Sequence, residues 1–175
     1  MTKRRLVVAL ALLAGATLPT PGHSQFNSDS RHGGFHLGVS GVGSNAAIGL
    51  QGEVALTEDA SVGGWVDTWS YGQTFGVVGS TIDWDVRYIA FAATGAYHFP
   101  IESQPKLDLF AGGALGYFIV RTSASGTTGV FTGDGSRLFF GAHGGARYWF
   151  NEKLAGLAQL GVGASYLTLG LDFAL

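Results

Sequence analysis

The sequence predicts an all-β protein, an eight-stranded antiparallel up-and-down barrel behind a cleavable leader, and three observations predict it. After residue 25 the apolar residues recur with a period of two and never with sustained helical spacing. Turn chemistry divides the chain into eight such segments. The composition joins 46% hydrophobic residues and 29 Gly to only 13% charged residues and 4 Pro in 175, which fits neither a disordered chain nor an ordinary globular one.

The leader is read from Lys3, Arg4 and Arg5, the apolar run Leu6 to Leu18, and the stretch Pro19 to Ser24. That run is too short to span a bilayer as a helix, and small Gly22 and Ser24 precede a cut ahead of Gln25, so residues 1–24 are expected to be a signal peptide and residues 25–175 a single barrel domain. Without the three leader cations, seven basic residues remain against twelve acidic ones, a net charge of −5 that excludes a nucleic-acid partner. The absence of Cys excludes disulfides, thiolate metal sites and a Cys nucleophile.

The strands are expected at 33–43, 47–56, 61–71, 84–99, 106–121, 137–150, 154–162 and 165–175. Ile48, Leu50, Val54 and Leu56 alternate with Gly49, Gln51, Glu53 and Ala55, and Leu167, Leu169, Leu171 and Phe173 alternate with Tyr166, Thr168, Gly170 and Asp172. The fourth strand is out of phase with itself, because Asp83, Asp85 and Arg87 share a face with Ile89, Phe91, Tyr97 and Phe99. Either a bulge lies near Arg87 and Tyr88, or that part projects beyond the apolar zone. Connections 57–60, 100–105 and 151–153 are short, whereas 72–83 and 122–136 are long and rich in Gly, Ser and Thr, and both long ones fall on one side. Val77, Val78, Val130 and Phe131 in them either form a binding tip or pack over the barrel mouth.

Which face points inward follows from the polar face. It carries Gln51, Glu53, Asp67, Asp108, Arg137, His143, Arg147, Thr168 and Asp172 among Trp65, Phe110, Phe118, Trp149 and Tyr166, and Lys is nearly absent from it. Bulky aromatics mixed with opposite charges and many Gly describe a crowded interior, so the apolar face is expected to meet lipid and the barrel to be transmembrane. Phe35, Tyr97, Phe99, Tyr148, Phe150 and Phe173 then form the girdle at the short-turn side. Glu53, Asp67, Asp108, Arg137, His143, Arg147 and Asp172 are expected to form a structural polar network in the lumen, since buried charges require partners.

The residues Gly95-Ala-Tyr-His-Phe-Pro100, Phe110-Ala-Gly-Gly-Ala-Leu-Gly-Tyr117, Gly144-Gly-Ala-Arg-Tyr-Trp-Phe150 and Ala164-Ser-Tyr-Leu-Thr-Leu-Gly-Leu-Asp-Phe173 resemble the small eight-stranded outer-membrane β-barrels. The membrane domain of outer-membrane protein A and outer-membrane protein X are of this kind. The resemblance implies residence in the bacterial outer membrane with both termini periplasmic and the long loops extracellular. The partners it implies are outer-membrane lipid, lipopolysaccharide, the assembly machinery during insertion, and an extracellular ligand at 72–83 and 122–136. It implies a monomer; no peptidoglycan-binding domain is read after the barrel, so a cell-wall tether is not implied. Such barrels commonly end on an aromatic residue; here Leu175 is last, with Phe173 two positions earlier on the same face.

No catalytic residue, cofactor or metal site is expected. His36, His98 and His143 have no Ser and acid at diagnostic spacing, and His32, His36, His98 and His143 show no metal-ligand spacing. The expected role is a structural or surface-exposed barrel, with small-solute transport as the alternative and lipid A modification as a third.

Overall fold

The structure, a computed structural model, describes residues 26–77, 80–126 and 129–175. The leader expected at 1–24 lies outside the described residues, as do Val78 and the side chains of Val77, Val130 and Phe131.

Eight strands form among the described residues: β1 Arg31–Ser40, β2 Ala46–Ala55, β3 Ala60–Val77, β4 Ser80–Phe99, β5 Leu107–Gly126, β6 Gly129–Trp149, β7 Leu154–Val162 and β8 Ser165–Ala174. Each pairs antiparallel with its sequence neighbour, and β1 pairs with β8 to close the barrel. Closure removes every sheet edge along the lower wall, which is what allows an apolar outer surface without unpaired backbone.

That outer surface is apolar and exposed all round: Phe35, Leu37, Ile48, Leu50, Phe91, Leu115, Phe140, Leu160 and Leu169 all project from it, Phe140 at 78% exposure. The expected girdle residues project outward as well, Phe35 beside Phe173, Tyr97 beside Phe99 and Tyr148 beside Phe150, with ring centroids 6.0, 5.1 and 5.8 Å apart. A continuous apolar surface of this extent suits hydrocarbon rather than water.

The described residues of the two segments read as long loops are in strands. β3 and β4 stay paired out to Val77↔Ser80, and β5 and β6 out to Gly126↔Gly129, while β4 and β5 pair with each other from Ile82↔Gly126 downward. A four-stranded sheet therefore stands above the short side of the barrel, where β1, β2, β7 and β8 have only 9 or 10 residues. Cross-strand backbone pairing overrides the loop-like Gly, Ser and Thr composition, helped by Thr, Val and Ile, whose branched side chains suit a pleated surface. The phase problem of the fourth strand resolves in the same way. Pairing of β4 with β3 runs without a register shift, so Asp83, Asp85 and Arg87 remain on the outward face, above the apolar zone.

One bulge does occur, at the top of β8. Val39 pairs with Leu167 but Ser40 pairs with Ser165, which leaves Tyr166 as an extra residue. Tyr166 was expected on the inward face; the bulge turns it outward and turns Ser165 inward instead. The turn that follows β7 uses Gly163 at φ +114°, a conformation L side chains rarely adopt.

Candidate functional site

Inside the barrel the inward residues stack in three layers. Near the short-turn end, Arg147 on β6 is 1% exposed and holds three carboxylates from three other strands. Its Nε donates to Asp172 Oδ2 at 2.6 Å, one terminal nitrogen to Asp108 Oδ2 at 2.7 Å, and the other to Glu53 Oε2 at 2.8 Å. Each of the three guanidinium nitrogens is thus used, a geometry a lysine cannot reproduce. Asp172 also accepts from Gln51 Nε2 at 2.7 Å, and the guanidinium lies over the Phe110 ring, 5.2 Å from its centroid.

His98 completes this cluster. Its Nδ1 lies 2.8 Å from Asp108 Oδ1, and its Nε2 lies 2.8 Å from Glu53 Oε1 and 3.0 Å from Ser61 Oγ. Phe26, entering below the barrel, stacks on the imidazole with ring centroids 3.6 Å apart and planes within 3°. The segment carrying Phe26 is held by the Asn27–Ser30 turn and by Ser30 O, which accepts from Ala55 N at 2.9 Å. This end of the lumen is closed by the ion cluster and its aromatic cap.

The middle layer contains two cavities of about 30 Å³ each, one above the other and sharing Gln51, Trp65, His143 and Gln159 in their walls. Each has room for a water or two. Beside the upper cavity Asp67 makes its own cluster, 2.6 Å from His36 Nε2 and accepting from Ser165 Oγ at 3.1 Å. Gly49 makes room for it, because a Cβ there would collide with Asp67 Oδ1, lie 2.5 Å from His36 Nε2 and 2.7 Å from Val66 O. The backbone oxygen cannot move aside, so Gly49→Ala is expected to lower unfolding free energy by about 1–3 kcal/mol, read from urea titrations in micelles.

The top layer is aromatic. Trp69 stacks on Tyr88 at 5.1 Å and meets Phe118 edge-on at 6.0 Å, and Phe118 packs on Phe139 at 4.4 Å. These rings fill the mouth beneath the protruding sheet. Gly116 admits Phe139, whose ring occupies the space a Cβ would need, and Gly145 likewise admits Phe110.

Of the residues expected to share one network, the structure brings together Glu53, Asp108, Arg147 and Asp172. Asp67 lies in the separate cluster with His36, and His143 lines both cavities without joining either ion cluster. Arg137 is not in the network: it is on the lumen-side face but stands above the aromatic layer, exposed, with its guanidinium 5.3 Å from the Phe118 centroid. Shared face is necessary for contact, but shared height is also required, and Arg137 is ten positions from Arg147 along β6. His98, His36 and Ser61 were missed as members. The available signal was phase, since His98 alternates in step with inward Ala90, Ala92 and Ala96, and position beside the Pro100 turn concealed it.

Ser61, His98 and Asp108 have the connectivity of a nucleophile, a base and an orienting acid. Two features of their surroundings differ from an open triad. Glu53 and Asp108 place a carboxylate oxygen 2.8 Å from each ring nitrogen, so Ser61 Oγ shares Nε2 with Glu53. Ser61 is 4% exposed, and the ring it bonds is covered on one face by Phe26.

No protein-family model matches the sequence, and no curated protein matches it. Solved structures do. The N-terminal β-barrel domain of Pseudomonas aeruginosa OprF is similar at TM-score 0.61 and 15% identity over 85% of this chain and 98% of that one. Ail, the attachment invasion locus protein of Yersinia pestis, solved with the heparin analogue sucrose octasulfate, is similar at TM-score 0.56 and 16% identity over 83% and 97%. Neisserial surface protein A (NspA) is similar at 0.51 and 13% over 83% and 95%. The fold is that of the small eight-stranded outer-membrane β-barrels. At this level of identity the likeness concerns the architecture of these outer-membrane barrels, and the Arg147 cluster stands on this chain's own geometry.

Proposed function

We propose that the protein is a surface-exposed barrel of the bacterial outer membrane, inserted with the β3–β6 sheet outside the cell and both termini in the periplasm, and that it acts as a structural element and contact surface rather than as a catalyst. The observation that carries this reading is the outer belt. On β4 it runs from Phe99 and Tyr97 to Ile89, and the next outward residue is Arg87. Ten residue steps at about 3.4 Å, tilted about 40°, rise roughly 25 Å, the height of the apolar band in such barrels. Above it the sheet leaves Ser70–Gly76 of β3 without a β2 partner and Thr132–Gly135 of β6 without a β7 partner, and neither edge carries Pro or Lys. Unpaired strand edges held clear of the membrane suit contact with an extracellular protein segment.

Cysteine labelling tests the orientation, since the chain has no native Cys. Ser125, exposed near the tip of β5, and Asn151, in the turn after β6, lie at opposite ends of the barrel. A membrane-impermeant maleimide is expected to label Ser125→Cys on intact cells, and Asn151→Cys only after the outer membrane is opened. Equal reactivity at both positions refutes the orientation.

Small-solute transport is the second reading, supported by the two cavities and opposed by the ion cluster below them and the aromatic layer above. Planar bilayers containing the protein are expected to show no discrete conductance steps; steady steps at neutral pH favour transport instead. Lipid A modification is disfavoured by the burial of Ser61 and by the carboxylate at each His98 ring nitrogen, and unchanged lipid A acyl chains on overexpression are the matching expectation.

A further inference from the structure

Only seven basic residues lie within 26–175, and their placement is uneven. Arg31, Lys106 and Lys153 lie at the short-turn end, Arg147 is enclosed in the ion cluster, and Arg87, Arg121 and Arg137 lie at the other end. Two of these last three are directly opposed. Register pairs Ser70 with Arg87, Arg87 with Arg121 and Arg121 with Asp134, one row across four strands on the outward face. The outward row beneath is Thr68, Ile89, Ile119 and Ser136, and the one below that is Val66, Phe91, Tyr117 and Leu138. The arginine row is therefore the first charged row above the apolar belt.

Like charges directly opposite each other in a β-ladder repel, because their Cβ atoms are only about 5 Å apart. Acids stand near: Asp134 flanks Arg121, Asp85 is one outward row above Arg87, and Asp83 above it accepts from Thr74 Oγ1 at 2.7 Å. Yet among the described residues neither Arg87 nor Arg121 is within ion-pairing distance of an acid, and both are exposed. An anion between them converts the repulsion into two charge-assisted contacts, and paired guanidinium forks match the tetrahedral oxygens of a phosphate. At this height the phosphates within reach are those of lipid headgroups, with the acyl chains running down past Ile89 and Ile119.

We propose that Arg87 and Arg121 form a two-pronged receptor for the phosphate of a lipid headgroup in the leaflet surrounding the protruding-sheet end of the barrel. This rests on the reading that the belt lies in a bilayer, and the test separates the two. Wild-type protein is inserted into phosphatidylcholine nanodiscs doped with bisphosphorylated lipid A or with its dephosphorylated counterpart, extracted into mild detergent, and its retained lipid counted by native mass spectrometry. Phosphorylated lipid A is expected to be retained and the dephosphorylated form lost. R87Q/R121Q is expected to reduce retention about tenfold or more, since hydrogen bonds to charged groups are the strong ones. R137Q/K106Q, with the same change in net charge at other places, is expected to retain lipid as wild type does.

Equal retention of both lipids, equal loss in the two double variants, or full displacement by millimolar inorganic phosphate each overturns the proposal, the last by reducing the pair to a site for the free ion. Heat-modifiable gel mobility establishes that each variant is folded; should R87Q/R121Q not fold, R87K/R121K replaces it, and retention equal to wild type there overturns the paired fork. Failure of wild-type protein to enter nanodiscs refutes the bilayer reading rather than the receptor.

Discussion

Arg147→Leu is expected to lower the unfolding free energy by about 3 kcal/mol or more, the size seen when one partner of a buried ion pair is removed. The reason is arithmetic of charge at one point. Arg147 answers Asp172, Asp108 and Glu53 simultaneously, and both aspartates are nearly sealed from solvent. Leucine leaves three carboxylates facing one another, with His98 the remaining cation-forming partner of Asp108 and Glu53, and nothing but Gln51 for Asp172. Replacing the whole cluster by apolar residues is a different experiment with a smaller expected effect, because the uncompensated charge disappears as well. Urea unfolding in micelles provides the check. A midpoint and slope indistinguishable from wild type would show that water entering from below substitutes for the guanidinium and that the cluster does not hold the barrel together.

Leu169→Arg is expected to cost about 2–4 kcal/mol in a bilayer, the penalty for arginine near the midplane of a barrel's lipid face. Leu169 is 53% exposed, projects outward on β8, and pairs with Leu37 on one side and Ala158 on the other. It lies between the girdle residue Phe173 below and the bulged Tyr166 above, so a cation there can reach neither interface easily. The neighbouring Thr168 is buried in the lumen and provides an internal control for position. Comparing folding free energies of Leu169→Arg in vesicles and in detergent separates the two contributions: the cost is expected in vesicles and largely relieved in micelles, where water comes closer. An equal, small effect in both media would assign that face to water.

The period of two decided face for most of the chain before any contact was known, because successive Cβ atoms on a strand point to opposite sides whatever the strand pairs with. It therefore fixed Leu169 outward and Arg147 inward, and it failed only where the period itself breaks, at the bulge that turns Tyr166 out. Composition misled at 72–83 and 122–136, where Gly, Ser and Thr suggested loops and backbone pairing made strands. Propensity is local and weak, whereas each added antiparallel pair extends a ladder already anchored in the barrel wall.

Which inward residues touch was not in the sequence at all. Asp108 is the direct ladder partner of Arg147, but Asp172 is two strands away and Glu53 comes from β2 on the far side of the closure. Only the register of every ladder and the joining of β1 to β8 set those three carboxylates at the height of one guanidinium, while leaving Arg137 above the aromatic layer and Asp67 with His36. The sequence by itself determined that eight strands form and, away from the one bulge, which way their side chains face, because side-chain direction follows from backbone geometry alone. Tertiary structure decided height and neighbour, because these depend on how far each strand is shifted along the next, a quantity fixed by the sum of contacts around the whole barrel.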